Sequence, residues 1–322
     1  MADLKKFKVV ASGKMRDVAY QELSRKVTLL DCQKCKLSRE ELDARLADAD
    51  ALYSAGNIKI DAGLLAKAPR LKVIAQASVG YDNIDIAACV TRGVRVGNTP
   101  GVLVEAVADC AYALLLESAR RFCQAFAFVK DGSWGQRKPF GLTHDLAGKI
   151  LGIIGMGDIG SAVARRAQAS KMQVIYHNRH RRGDEQELGV RYAGLDELLG
   201  EADYVLLAVT LNPSTQKLIN ADTLAKMKTG ACLINISRGG VVDTEALYEA
   251  LISQRLAFAA MDVTDPEPLP GDHKLLSLDN VMITPHIASA TKETRDAMAL
   301  LTVDNILAAL EGKPMPAEVE KP

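Results

Sequence analysis

Residues 151–160 read Leu151-Gly-Ile-Ile-Gly155-Met-Gly157-Asp158-Ile159-Gly160, and the segment that follows, SAVARRAQAS, has the composition of a helix. A short apolar run that breaks into G-x-G-x-x-G and reopens as a helix is a strand-to-helix turn with a purpose. Gly155 permits a tight turn, Gly157 lets the backbone approach a ligand closely, and Gly160 allows helix and strand to pack against each other. The helix N-terminus then presents free N–H groups and a partial positive charge, which suit a pyrophosphate. A second strand, MQVIYHN (172–178), follows about 20 residues on, the spacing of a dinucleotide-binding βαβ unit. Asp158 and Ile159, between the second and third glycines, belong to the same expected contact set.

The end of that second strand selects the dinucleotide. A carboxylate there would accept from the ribose 2′-hydroxyl of NAD. Here the chain reads Tyr176-His177-Asn178-Arg179-His180-Arg181-Arg182, and the first acidic residue is Asp184. An amide followed by three arginines suits a 2′-phosphate, which guanidinium groups can grip in bidentate fashion. NADP(H) is expected in preference to NAD(H), with Asn178, Arg179 and Arg182 at the phosphate.

Working outward, short apolar runs alternate with helical patterns along the whole chain. They read FKVVAS (7–12), KVTLLDC (26–32), ALYSA (51–55), LKVIAQAS (71–78) and VRVGNT (94–99), then YVLLAVT (204–210), ACLINISR (231–238), FAAMDV (258–263) and VMITPH (281–286). Strands apolar throughout are expected in parallel sheets covered on both faces, so the chain is read as α/β, built from βαβ units. At 322 residues it exceeds what one core usually holds. An apolar helix over 102–121 separates two strand sets, and a second long helix over 291–311 ends at Gly312 and Pro314. Residues 102–289 are therefore read as one domain and 1–101 plus 290–322 as the other, with a cleft expected between them.

Forty basic residues balance forty acidic ones, which removes any bulk field toward nucleic acid or a membrane surface. No apolar run is long enough for a membrane helix, and the start lacks a signal-peptide core, so a cytoplasmic protein is expected. Cys32-Gln-Lys-Cys35 has redox or zinc spacing, but no further ligand cluster follows, and ordinary reduced thiols are expected, with a regulatory disulfide as the alternative. No metal site is expected.

Three segments end the last strands, where open α/β sheets bind ligands. They are Ser237-Arg238-Gly239-Gly240, Asp262-Val-Thr-Asp-Pro-Glu267-Pro and Pro285-His286. Reduction of a 2-oxo acid needs a cation to hold the carboxylate and polarise the carbonyl, and an acid to protonate the developing alkoxide. Arg238 suits the first task. Histidine ionises near neutrality without large tuning, so His286 suits the second, with Glu267 as the carboxylate that orients its ring. His144, His177, His180 and His273 lack this setting.

With these residues in place, the chain resembles the D-isomer-specific 2-hydroxyacid dehydrogenases, and within them the glyoxylate/hydroxypyruvate reductases. The stretches that carry the resemblance are SVGYDNID (78–85), NTPGVL (98–103), LGIIGMGDIG (151–160), INISRGGVVD (234–243), MDVTDPEPLP (261–270) and ITPHIASAT (283–291). The resemblance implies a doubly wound parallel-sheet (Rossmann) dinucleotide-binding domain and a flavodoxin-like substrate-binding domain. It implies Arg238 as substrate anchor, Glu267 as the histidine's partner and His286 as general acid/base, with backbone N–H groups of Val79 and Gly80 on the substrate carboxylate. Asp262 would meet the nicotinamide carboxamide, while Val209, Thr210, Ile236 and Ser237 would line the cofactor cleft. It further implies a homodimer built on the helix after NTPG, which suits the apolar excess of 102–118. Two positions depart from the family's pattern: Asp158 between the glycines and Val104 after NTPGVL. The expected reaction is NADPH-dependent reduction of glyoxylate or hydroxypyruvate. The rivals are a sugar acid such as 2-ketogluconate, a substrate lacking the carboxylate, and a regulator that senses the dinucleotide without turnover.

Overall fold

The computed structural model describes residues 4–30, 37–56 and 58–320. Cys32 and Cys35 lie outside the described residues. The chain divides into two compact units, Met1–Leu103 with Thr291–Pro322, and Val104–Ala290.

The first unit is a five-stranded parallel sheet of β1 (Lys8–Ala11), β2 (Thr28–Leu29), β3 (Ala51–Ser54), β4 (Val73–Gln76) and β5 (Arg95–Gly97), in the order β2-β1-β3-β4-β5. That is the flavodoxin-like order. Strands β3 and β4 are buried at every position, as the uninterrupted apolar runs require. Helices α1 (Asp17–Lys26), α2 (Arg39–Leu46), α3 (Ala62–Ala66) and α4 (Ile86–Thr91) follow the strands, and α12 (Lys292–Leu310) returns from the end of the chain. Val303, Ile306 and Leu307 of α12 join Val9, Leu23 and Val73 in one core on one face of the sheet. Leu42, Leu46, Leu64 and Leu65 cover the other face against Leu52 and Ile74.

The second unit opens with α5 (Val104–Arg120) and α6 (Phe122–Lys130). Its parallel sheet comprises β6 (Ile150–Ile154), β7 (Gln173–His177), β8 (Arg191–Tyr192), β9 (Tyr204–Leu207), β10 (Ala231–Asn235), β11 (Leu256–Met261) and β12 (Val281–Ile283). The order is β12-β11-β10-β9-β6-β7-β8, a doubly wound sheet whose order reverses between β6 and β9. Helices α7 (Asp158–Ala169), α8 (Glu185–Leu188), α9 (Leu195–Glu201), α10 (Ala221–Lys226) and α11 (Thr244–Ile252) complete it. Gly152, in mid-β6, is where α9 comes closest: a Cβ there would lie 2.6 Å from Leu198 Cδ2.

Two elements differ from the sequence reading. β8 is two residues at a sheet edge, and Arg191–Tyr192 carries no apolar run that could announce it. The apolar excess of 102–118 is taken up within the unit itself: Val107, Ala108, Ala111, Leu114 and Leu115 are buried, and α5 packs on α7, β10 and β11. The uncovered apolar surface lies one helix later. α6 buries no residue, and Phe122, Phe126 and Val129 are exposed along it, followed by Trp134, Phe140 and Leu142.

Candidate active site

The turn after β6 is shaped by where a Cβ cannot go. Gly155 has φ +101°, and a Cβ there would sit 2.4 Å from the Ala208 carbonyl oxygen. A Cβ on Gly160 would sit 2.4 Å from the Gly155 oxygen, so the helix can only start this close to the strand with glycine there. Gly157 is different: its missing Cβ would meet nothing within 4 Å, so the protein itself does not need a glycine there. What the glycine keeps open is approach from outside. The first bond of α7 runs from Ser161 N–H to the Gly157 carbonyl, which leaves the N–H groups of Asp158, Ile159 and Gly160 without a backbone acceptor. Such a terminus fits a phosphate. The Asp158 side chain is exposed, and its charge acts on Arg182.

The segment after β7 is more committed than the sequence reading expects. The Asn178 side chain clasps the glycine turn, accepting from Met156 N–H at 2.7 Å and donating to the Met156 carbonyl at 3.4 Å. Arg182 Nη1 donates to the same carbonyl at 2.9 Å, while its Nε and Nη2 hold Asp184 at 2.7 and 2.6 Å. Arg181 holds Glu185 at 2.7 and 2.8 Å, and the Tyr176 hydroxyl donates to Glu185 at 2.6 Å. Arg182 holds the Asp184 carboxyl below the usual carboxylate range, and Arg181 with Tyr176 does the same for Glu185. Two of the three guanidinium groups therefore already face a carboxylate. Arg179 is exposed and has no ion pair among the described residues.

At the other end of the sheet, β10, β11 and β12 deliver Arg238, Glu267 and His286 from their C-terminal ends. His286 Nδ1 lies 2.7 Å from Glu267 Oε1. An ionised carboxylate only accepts, so Nδ1 carries the proton and Nε2 is left for chemistry. Both side chains are partly open to solvent, at 40% and 33% exposure. His286 adopts φ +54°, a left-handed conformation that a non-glycine residue holds only when its surroundings impose it.

The element that imposes it is Asp262. This residue is 1% exposed, and its carboxylate accepts from Thr284 Oγ1 at 2.6 Å, Ile287 N–H at 2.8 Å and Ala288 N–H at 2.8 Å. It thus fastens the chain on both sides of His286. The expected contact of Asp262 with a nicotinamide carboxamide finds both oxygens of the group already engaged in this loop. Arg238 Nη1 donates to the Ser237 carbonyl at 2.9 Å. Buried Asn235 sets that turn, accepting from Ser237 N–H and hydroxyl at 3.0 and 2.7 Å and donating to the Arg238 carbonyl at 3.0 Å. A Cβ on Gly239 would fall 2.0 Å from the Thr264 carbonyl, so the arginine turn lies directly against the loop that carries Glu267.

A cavity of about 360 Å³ in this unit has Asp262, Thr264, Glu267, Thr284 and His286 as polar lining and apolar walls that include Leu269. Val209 and Thr210 lie just past the end of β9, with Val209 beside Gly155 of the glycine turn, and Ile236 and Ser237 are buried just past the end of β10. Val79 and Gly80 stand in the first unit, on the loop after β4. Sequence reasoning missed Asn235, Gly239 and Thr284; only the doubled glycine of SRGG hinted at a close approach. Among the described residues no cluster of histidine, cysteine or acidic side chains could hold a metal. No helix among them is long and apolar enough to cross a membrane.

Residues 112–288 match the family model described as "D-isomer specific 2-hydroxyacid dehydrogenase, NAD binding domain". A glyoxylate reductase from Korarchaeum cryptofilum is 46% identical over 279 residues, covering 86% of this chain and 84% of that protein. One from Pyrococcus furiosus is 44% identical over 292 residues, covering 89% and 87%. Among solved structures, an NADPH-dependent glyoxylate/hydroxypyruvate reductase from Sinorhizobium meliloti, in complex with NADP and malonate, superposes with a TM-score of 0.89 at 33% identity, covering 98% of this chain and 97% of that one.

Proposed function

The chain belongs to the D-isomer specific 2-hydroxyacid dehydrogenases, and on that premise we propose that it reduces glyoxylate, and hydroxypyruvate beside it, at the expense of NADPH. The observation that carries the proposal is the 2.7 Å bond from His286 Nδ1 to Glu267, which leaves Nε2 as the acid. The open Gly157 and the three N–H groups of α7 that lack a backbone acceptor fit a dinucleotide pyrophosphate. When bound, the nicotinamide supplies the hydride for C2. Arg238 binds the substrate carboxylate and polarises the carbonyl. His286 Nε2 gives its proton to the oxygen at C2 as negative charge develops there, and Glu267 keeps the ring aimed. The products are glycolate and D-glycerate.

The cofactor preference follows from the loop after β7. Arg179 is the cation available to a 2′-phosphate, with Arg182 already neutralised by Asp184. The preference for NADPH is therefore modest, and NADH is also used. The exposed apolar face of α6 and the Trp134–Leu142 segment supports a homodimer, since a surface of this kind asks for a cover.

The test is the loss of NADPH absorbance on adding glyoxylate or hydroxypyruvate, with 2-ketogluconate, NADH and His286→Ala as controls. Turnover that disappears in the variant supports the reading. Tight NADPH binding with no turnover of any 2-oxo acid would turn it toward a dinucleotide sensor.

A further inference from the structure

The motif Asn98-Thr99-Pro100-Gly101 carries no role in the chemistry above, yet its first two residues are buried, Asn98 at 9% and Thr99 at 0% exposure. Both reach the loop after β4. Thr99 N–H donates to the Ser78 carbonyl at 3.1 Å, and Asn98 Nδ2 donates to the Val79 carbonyl at 2.9 Å. The next carbonyl, of Gly80, accepts from the Ser78 hydroxyl at 2.7 Å. Three successive carbonyls are thus tied to the first unit.

A trans peptide points its C=O and the following N–H in opposite directions. Among the described residues cis bonds occur only before Pro266 and Pro268, so the peptides of this loop are trans. Tying the Ser78 carbonyl to Thr99 turns the Val79 N–H the other way. Tying the Val79 carbonyl to Asn98 does the same for the Gly80 N–H. Neither N–H has an acceptor among the described residues. Two successive, unpaired donors with fixed direction form an anion-binding concavity.

The supports behind the loop are themselves braced. Gln76, 2% exposed, donates through Nε2 to Ser78 Oγ and to Asn83 Oδ1, each at 3.2 Å, and so holds both ends of 78–83. Asn98 is fastened in turn: its N–H donates to the Ala317 carbonyl at 3.2 Å, and its own carbonyl accepts from Asn305 Nδ2 at 2.9 Å. Asn305 is fully buried, and Gly97 must be glycine to admit it, since a Cβ there would lie 2.9 Å from the Asn305 amide.

We infer that Asn98 is the positioning residue of the substrate-carboxylate cradle: by holding the Val79 carbonyl it aims the Gly80 N–H, while Thr99 N–H aims that of Val79 and Ser78 and Gln76 brace the loop. The inference rests on the reading of the chain as a 2-oxo acid reductase, and adds what sets the direction of these donors. The role assigned to Asn98 is exerted through its bond to the Val79 carbonyl. A hydrogen bond to a charged group contributes about 1.5–3 kcal/mol, so a misdirected N–H weakens carboxylate binding by about tenfold or more.

The experiment measures the full chain carrying Asn98→Ala, with Ser78→Ala as a second variant should the first fail to fold. Expected are a rise of about tenfold in KM for glyoxylate and a parallel rise in the inhibition constant of oxalate, for the loss of a donor that binds ground and transition states alike. The kcat stays within about threefold, and the NADPH dissociation constant, read by fluorescence, is unchanged. Ser78→Ala gives the same pattern at smaller size. Unchanged KM and oxalate inhibition in a folded variant would overturn the inference, and so would an equal loss of NADPH binding, which marks general disorder. No turnover of any 2-oxo acid by the unsubstituted chain would overturn the reading beneath it, an outcome the variants cannot imitate.

Discussion

The two halves of the second unit's sheet are built in opposite ways around the charged groups the proposed function asks them to hold. At the turn after β6 the tool is backbone: three glycines and the first N–H groups of α7 do the work, and the side chains stand aside or, like Asn178, brace the turn from behind. At the ends of β10 to β12 the tool is side chains, and each needs an elaborate mount. Asn235 shapes the turn under Arg238, and the buried Asp262 fastens the loop around His286. A backbone site is specified by absent atoms and tolerates little change within it. A side-chain site fails when a distant mount fails.

His286→Ala breaks the side-chain site most directly. A positioned acid contributes about 10²–10⁴-fold, so kcat for glyoxylate falls by about that factor while the NADPH dissociation constant holds. Steady-state kinetics beside fluorescence titration check both halves. A variant that keeps more than a tenth of wild-type kcat would remove His286 from the acid role.

The mount is the next target. Asp262→Ala leaves two backbone N–H groups and the Thr284 hydroxyl without their acceptor in a site that is 1% exposed. Each orphaned group costs about 1–3 kcal/mol, so a loss of several kcal/mol in stability accompanies the loss of activity. Asp262→Asn retains the shape and one acceptor, and should recover part of both. Thermal unfolding followed by circular dichroism, set against kcat, tests the pairing. An Asp262→Ala protein that melts with the wild type would show that the φ +54° of His286 needs no clamp.

These two sites were unequally legible from residues alone. The glycine turn could be read because its requirement is local: spacing, a strand before and a helix after. Arg238, Glu267 and His286 could be singled out because each follows a strand in a sheet whose C-terminal ends bind ligands. The clamp could not be foreseen. Asp262 is read from the sequence as a nicotinamide contact, and only the fold brings Thr284, Ile287 and Ala288 onto its two oxygens. Nor could the pairing of Arg181 with Glu185 and Arg182 with Asp184, because the sign of a charge is visible in a sequence while its partner is not. The apolar helix at 102–118 illustrates the same limit: its composition announces a need for cover but not which surface supplies it.

The backbone site offers a sharper contrast within itself. Gly157→Ala places a Cβ in open space with φ near −90°, so the protein folds and melts as before, yet the methyl occupies the approach to the N–H groups of α7. NADPH binding weakens by about 10–100-fold, a figure set by the loss of one or two hydrogen bonds to a charged group. Gly155→Ala meets the Ala208 carbonyl at 2.4 Å in a backbone conformation hostile to any side chain, and loses stability instead. Equal melting temperatures for the two variants would dissolve the distinction between a glycine kept for the fold and one kept for the ligand.

The smallest effect expected concerns the carboxylates that face the arginines. Asp184 is 40% exposed and holds Arg182 through two bonds, so the pair is screened by solvent and contributes little to stability. Its influence on a 2′-phosphate is larger, because that group brings nearly two negative charges to a loop whose second guanidinium is already matched. Asp184→Asn frees Arg182 and removes a repulsion. The ratio of NADPH to NADH affinity should rise by about three- to tenfold, from a gain of roughly 1 kcal/mol typical of a partly exposed charge pair. Arg179→Ala should lower the same ratio by a similar factor, with no change in kcat at saturating NADPH. If Asp184→Asn lowers the ratio instead, the carboxylate is holding Arg182 ready for the phosphate rather than competing with it, and the loop after β7 is a second mount of the kind Asp262 provides.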